Sequence, residues 1–79
     1  MIYTIGILED VQGNIKVYFD KSGNEYVVAI YNTDSHISTH KNFKNLKSAI
    51  KAFQEVSSWI LEGDYSEDDR RKMLLDMVD

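Results

Sequence analysis

Apolar and polar residues alternate through the first half of the chain, and from Asn45 onward apolar residues recur every three to four positions. The first pattern is that of strands and the second that of helices. Residues 2–8, IYTIGIL, are rich in β-branched and aromatic side chains. They predict a strand with Tyr3, Ile5 and Ile7 on one face and Ile2, Thr4, Gly6 and Leu8 on the other. Gly6 in mid-strand predicts a bulge or a close backbone approach. Residues 9–13, EDVQG, carry turn chemistry. Residues 14–20, NIKVYFD, alternate cleanly, with Ile15, Val17 and Phe19 opposite Lys16, Tyr18 and Asp20. The next turn, DKSGN over 20–24, offers Gly23 or Asn24 for the positive φ of a hairpin loop. Residues 25–31, EYVVAIY, are apolar on both faces and predict a central strand. Residues 36–43, HISTHKNF, are polar apart from Ile37 and Phe43. They predict an edge strand blunted by Lys41 and the histidines. Short connections imply antiparallel neighbours in a meander.

The second half predicts two helices. Leu46, Ala49, Ile50, Phe53, Val56 and Ile60 form one stripe, with Asn45 as N-cap and Gly63 as the stop. Trp59 flanks that stripe, half exposed. Ser66-Glu67-Asp68-Asp69 opens the second helix as an S-x-x-D cap, its three acids facing the positive end of the helix dipole. Met73, Leu74, Met77 and Val78 form its apolar side. The whole predicts one α+β domain over residues 1–79: a three- to four-stranded antiparallel meander sheet followed by two C-terminal helices, ββββαα.

Size narrows the function. A chain of 79 residues buries roughly 60–65% of its unfolded surface and has few apolar side chains left to line a deep cavity. A binding module is therefore favoured over an enzyme. The absence of cysteine removes disulfides, thiolate metal sites and a cysteine nucleophile. No apolar run approaches the ~18–20 residues of a membrane span. MIYTIGILED lacks the features of a signal peptide, which makes the cytoplasm the expected location. His36 and His40 with Asp34 are the one metal-like grouping. On a strand the two histidines stand ~13 Å apart, so no metal or other cofactor is expected. No nucleophile-elbow, P-loop or dinucleotide-binding glycine pattern occurs.

Charge carries more information. Net charge is −4, from 13 acids and 9 bases. Lys41, Lys44, Lys47 and Lys51 form a run without acids, a candidate phosphate-backbone contact or an ordinary solvated face. The overall acidity and the lack of interleaved aromatics argue against direct nucleic-acid binding. Glu62, Asp64, Glu67, Asp68 and Asp69 cluster without a base, around Tyr65. They serve helix capping and solubility, or they present phosphate-like charge to a basic groove. Five tyrosines add aromatic surface, and the sheet face with Lys16, Tyr18 and Asp20 is the one expected to stay open.

The heptamer Ser22-Gly23-Asn24-Glu25-Tyr26-Val27-Val28 resembles the hairpin of a family of small acidic phage-encoded anti-CRISPR proteins that block a single-protein CRISPR nuclease. The helical Ala49-Ile50-Lys51-Ala52-Phe53, the acidic tyrosine-bearing segment 62–69 and a last helix are similar to that family too. The resemblance implies a non-catalytic inhibitor, phage or mobile-element encoded and acting in the host cytoplasm. Its partner would be a host protein or ribonucleoprotein complex, held by an acidic, DNA-mimicking surface made of Glu62, Asp64, Tyr65, Glu67, Asp68 and Asp69. A nucleic-acid-binding accessory domain using the four lysines, or a homodimeric structural protein pairing by a strand edge or the tyrosine face, is the alternative.

Overall fold

The computed structural model describes residues 2–63 and 65–79. Its elements are β1 (Ile2–Glu9), β2 (Ile15–Ser22), β3 (Glu25–Asn32), β4 (Ser38–Phe43), α1 (Leu46–Glu62) and α2 (Glu67–Leu75). The strands form one antiparallel sheet in the order β1-β2-β3-β4. The fold is α+β, and the meander has four strands.

Directly opposite residues of antiparallel strands share a face, so the register sorts the side chains. Val17 pairs with Ile30, Phe19 with Val28, and Tyr26 with Phe43. Val17, Phe19, Val28, Ile30 and Phe43 are buried and form the core with Ala49, Ala52, Val56 and Ile60 of α1 and Leu74 of α2. Both helices therefore lie on one face of the sheet. The opposite face carries Tyr18 between Ile7 and Ala29, with Lys16 and Asp20 in the flanking rows, and none of the described elements covers it.

The bulge expected at Gly6 lies between Thr4 and Gly6, with Ile5 the extra residue. It corrects the face assignment of β1. An added residue breaks the two-residue alternation. Tyr3 thus pairs with Lys21 and joins the helix side with Gly6 and Leu8, instead of sharing the face of Ile7. A Cβ at Gly6 would lie 3.6 Å from the Phe53 ring, an ordinary van der Waals contact, so the bulge and not a close approach accounts for this position.

The hairpin loops follow local chemistry. Gly23 adopts φ 61° between β2 and β3, and Gly13 adopts φ 76° between β1 and β2. Asp10 closes the first turn, its Oδ1 accepting from Ile15 N–H at 3.1 Å. The fourth strand begins at Ser38, two residues later than expected, because His36 takes φ 58° in the connecting turn. Left-handed backbone cannot continue a strand.

Asn45 caps α1 by accepting from Lys47 N–H at 2.8 Å and Ser48 N–H at 3.4 Å. Gly63 ends it at φ 72°, its N–H donating to Trp59 carbonyl. The buried stripe is rotated from the expected one. Ala49, Ala52, Val56 and Ile60 face the sheet, while Leu46 and Ile50 are exposed. At 3.6 residues per turn Ile50 lies about a third of a turn from the centre of that stripe. The two alanines let α1 approach the sheet closely. Ser66 caps α2, accepting from Asp69 N–H at 3.2 Å. Leu74 is its one fully buried apolar residue, Met73 and Met77 are half-buried, and Val78 lies beyond the helix in solvent. Arg70, one turn before Leu74, is only 8% exposed and donates to the Tyr65 carbonyl at 2.7 Å.

Candidate functional site

The acidic segment between α1 and α2 is partly absorbed by the fold. Glu67 turns inward, accepting from Asn32 Nδ2 at 3.3 Å and Ser35 Oγ at 3.2 Å. It clasps the start of α2 to the β3–β4 turn. Asp68 pairs with Arg71 at 3.4 Å on its own helix. Glu62 accepts from Ser58 Oγ at 3.0 Å. Asp69 stays exposed in the first turn of α2, where its backbone N–H is capped. Tyr65 rests edge-on against Trp59, ring centroids 6.3 Å apart. Asp64 lies outside the described residues. Of the described acids, Glu62, Asp68 and Asp69 reach solvent and Glu67 does not do so freely.

The structure sets Lys41 apart from Lys44, Lys47 and Lys51, the last two of which lie one turn apart on α1. Lys41 lies on the helix side of β4 and donates to the Leu75 carbonyl at 2.8 Å, closing the end of α2. Lys47 and Lys51 are exposed on α1, and Lys51 pairs with Glu55 at 4.0 Å. Lys44 is met by Asp79, whose carboxylate accepts from the N–H groups of Lys44 at 2.8 Å and Asn45 at 3.2 Å. The Lys44 N–H holds the Asp79 carboxyl below the ordinary carboxylate range. The Asn45 N–H and the charges of Lys44 and Lys41 add to this, against some desolvation. An acid is thus folded into the lysine run, which lowers its pull on a phosphate backbone. The sequence carried no signal for this contact, because its partners stand 34 and 35 residues apart.

The two histidines do not share a strand, since β4 begins after His36. His36 sits in the turn with Nδ1 3.2 Å from the Tyr31 hydroxyl, and His40 projects from the open face opposite Ala29. Among the described residues no group of three or more His, Asp or Glu side chains could hold a metal ion. No helix is long and apolar enough to cross a membrane.

The sheet face turned away from the described helices mixes apolar and polar side chains. The open sheet face presents Ile7, Tyr18, Ala29 and His40 in one row and Thr4, Asp20, Val27 and Asn42 in the next. Glu9 and Lys16, paired at 3.8 Å, border it on one side and Glu25 on the other. The Oδ1 of Asp20 is buried with no hydrogen-bond partner among the described residues. Along β1, Ile2, Ile5 and Ile7 are 70%, 51% and 55% exposed. Sequence alternation had marked the Tyr18 face as open; it had not marked the isoleucines, because the bulge that sorts β1 is visible only in the pairing. Comparison of the chain with protein-family models, curated proteins and solved structures finds no match to any of them.

Proposed function

We propose that the protein is a non-catalytic binding module that acts by docking on a macromolecular partner through the open face of its sheet. The observation that carries this is the uncovered row Ile7, Tyr18 and Ala29, on a rigid sheet whose other face already holds both helices. Surfaces of this kind, with an aromatic centre and a charged rim, are the ordinary anchors of protein interfaces. The rim carries Glu9 and Glu25 against Lys16, and the chain has net charge −4. Complementarity then favours a basic partner. The anti-CRISPR resemblance extends the proposal to an inhibitor, phage or mobile-element encoded, of a host nucleic-acid-handling complex. The exposed acids Glu62, Asp68 and Asp69 supply long-range attraction to such a partner, steering it and lending salt dependence to the encounter.

The test is capture of a partner from host lysate by immobilised protein, repeated with Tyr18→Lys and with Glu62, Asp68 and Asp69 reversed together. The expected result is a stoichiometric partner lost with Tyr18→Lys and weakened, chiefly at low salt, by the acidic reversal. A partner that survives Tyr18→Lys and vanishes on acidic reversal moves the site to the α1–α2 turn. Nucleic acid retained alone moves it to Lys44, Lys47 and Lys51.

A further inference from the structure

Asp20 stands inside the open sheet face, two residues along β2 from Tyr18. Tyr18 lies opposite Ala29 and Asp20 opposite Val27, so ring and carboxylate share the face with small apolar neighbours on β3. Both are half-buried. The lysines nearest to them in sequence are engaged elsewhere. Lys16, on the same face, pairs with Glu9 at 3.8 Å. Lys21 turns to the helix side and lies 5.8 Å over the Tyr26 ring. Among the described residues Asp20 joins no ion pair, and the Tyr18 ring meets no second aromatic ring and no cation. The Oδ1 of Asp20 is held out of water. A carboxylate in such surroundings attracts a nearby cation more strongly than one fully in solvent.

We infer that Tyr18 and Asp20 form a site for an arginine side chain contributed by the docking partner. Charge complementarity selects a cation. Glu9 and Lys16 offset each other at one border of the face, which leaves Asp20 and Glu25 without a balancing base. The same two acids disfavour a phosphate or an acidic peptide there. The ring selects the kind of cation. A guanidinium is planar and weakly hydrated, so it stacks its face on a tyrosine ring while its N–H edge meets a carboxylate. A lysine ammonium is compact and strongly hydrated, and it gives up more water for either contact. Residues two apart on a strand stand about 7 Å from each other on one face, which sets the Tyr18 ring and the Asp20 carboxylate side by side. This site rests on the docking reading proposed above and names the side chain that the partner brings to it.

The test is a titration of the isotope-labelled chain at low salt, followed by amide shifts. The probes are three capped tripeptides, glycyl-arginyl-glycine, glycyl-lysyl-glycine and glycyl-norleucyl-glycine, at millimolar concentration. The arginine peptide should shift the amides of Tyr18, Asp20, Val27 and Ala29 along one saturable curve, the lysine peptide should bind more weakly, and the norleucine peptide should leave them unmoved. Tyr18→Leu and Asp20→Asn should each weaken arginine binding about two- to fivefold. Asp69→Asn makes the same change in net charge and should leave binding unchanged. An arginine peptide that binds no better than its lysine or norleucine counterpart overturns the inference. So do shifts concentrated between Glu62 and Asp69, or an Asp69→Asn variant that loses as much as Asp20→Asn. Should Tyr18→Leu fail to fold by circular dichroism, Asp20→Asn against Asp69→Asn decides alone. Partner capture abolished by Tyr18→Lys without arginine binding keeps the docking face and overturns this site. Arginine binding at Tyr18 and Asp20, with partner capture untouched by Tyr18→Lys, supports the site and overturns the docking face.

Discussion

Replacing Glu67 by alanine separates an acid that holds the fold together from acids free to meet a partner. The side chain makes two hydrogen bonds to Asn32 and Ser35, at 3.3 and 3.2 Å, across 35 and 32 residues of sequence. Both are long and partly exposed, so each contributes toward the lower part of the usual range of about 0.5–1.5 kcal/mol. Losing the acid from the first turn of α2 adds about 0.3–1 kcal/mol. The sum is about 2 kcal/mol. For a domain of this size, 1 kcal/mol shifts the melting temperature by about 4–8 °C, so Glu67→Ala should melt about 10 °C below the parent. Asp69→Ala is the control: it removes an acid from the same turn without breaking a side-chain clasp, and should cost only the dipole contribution. Thermal melts followed by circular dichroism decide between them. A Glu67→Ala variant that melts with the parent, or no lower than Asp69→Ala, would refute the clasp and return Glu67 to the acidic surface.

Three further expectations follow from the packing and the caps. Ala52 is buried where α1 crosses the sheet, so Ala52→Leu should overpack the core and lower stability by about 1–3 kcal/mol. Urea denaturation would show this as a lower midpoint at unchanged slope, and an unchanged midpoint would contradict the close approach. Asn45→Ala should cost about 1 kcal/mol through loss of the α1 cap, visible as a drop of several degrees in melting temperature. The folded Asp79 carboxyl titrates below its ordinary range. Its bonds to Lys44 and Asn45 therefore contribute fully above the unfolded carboxylate value and are lost as pH falls through the lower folded one. The stability difference between the parent and Asp79→Asn should be present at neutral pH and narrow on acidification through that window; a difference that stays constant down the acid limb would contradict the contact.

What the chain's order revealed was whatever is satisfied within a few residues. Asn45, Gly63 and Ser66 meet their backbone partners within four positions, and Gly23 needs only its own φ. Antiparallel pairing of neighbours came from short turns, and the open Tyr18 face from the alternation of β2, while the strand order needed the structure. Features decided by distant partners were not legible. The burial of Ala49 and Ala52 on α1, with Leu46 and Ile50 exposed, depends on contacts with β2 and β3 far along the chain. The displacement of Tyr3 depends on where β2 accepts an extra residue. The buried Arg70, which donates to the Tyr65 carbonyl, carries no sign of that burial in its neighbours along the chain. The candidate sites suffered most from such partners. Glu67 and Lys41 read as surface charges, and each turned out to bond to a segment more than thirty residues away.

The central claim, that the open sheet face is the docking surface, is tested most directly by nuclear magnetic resonance shift mapping of the isotope-labelled chain as captured partner is added. The account predicts that the amides of Ile7, Tyr18, Ala29 and His40 shift or broaden together while those of α2 hold their positions. Perturbations concentrated between Glu62 and Asp69, with the Tyr18 row unmoved, would contradict it.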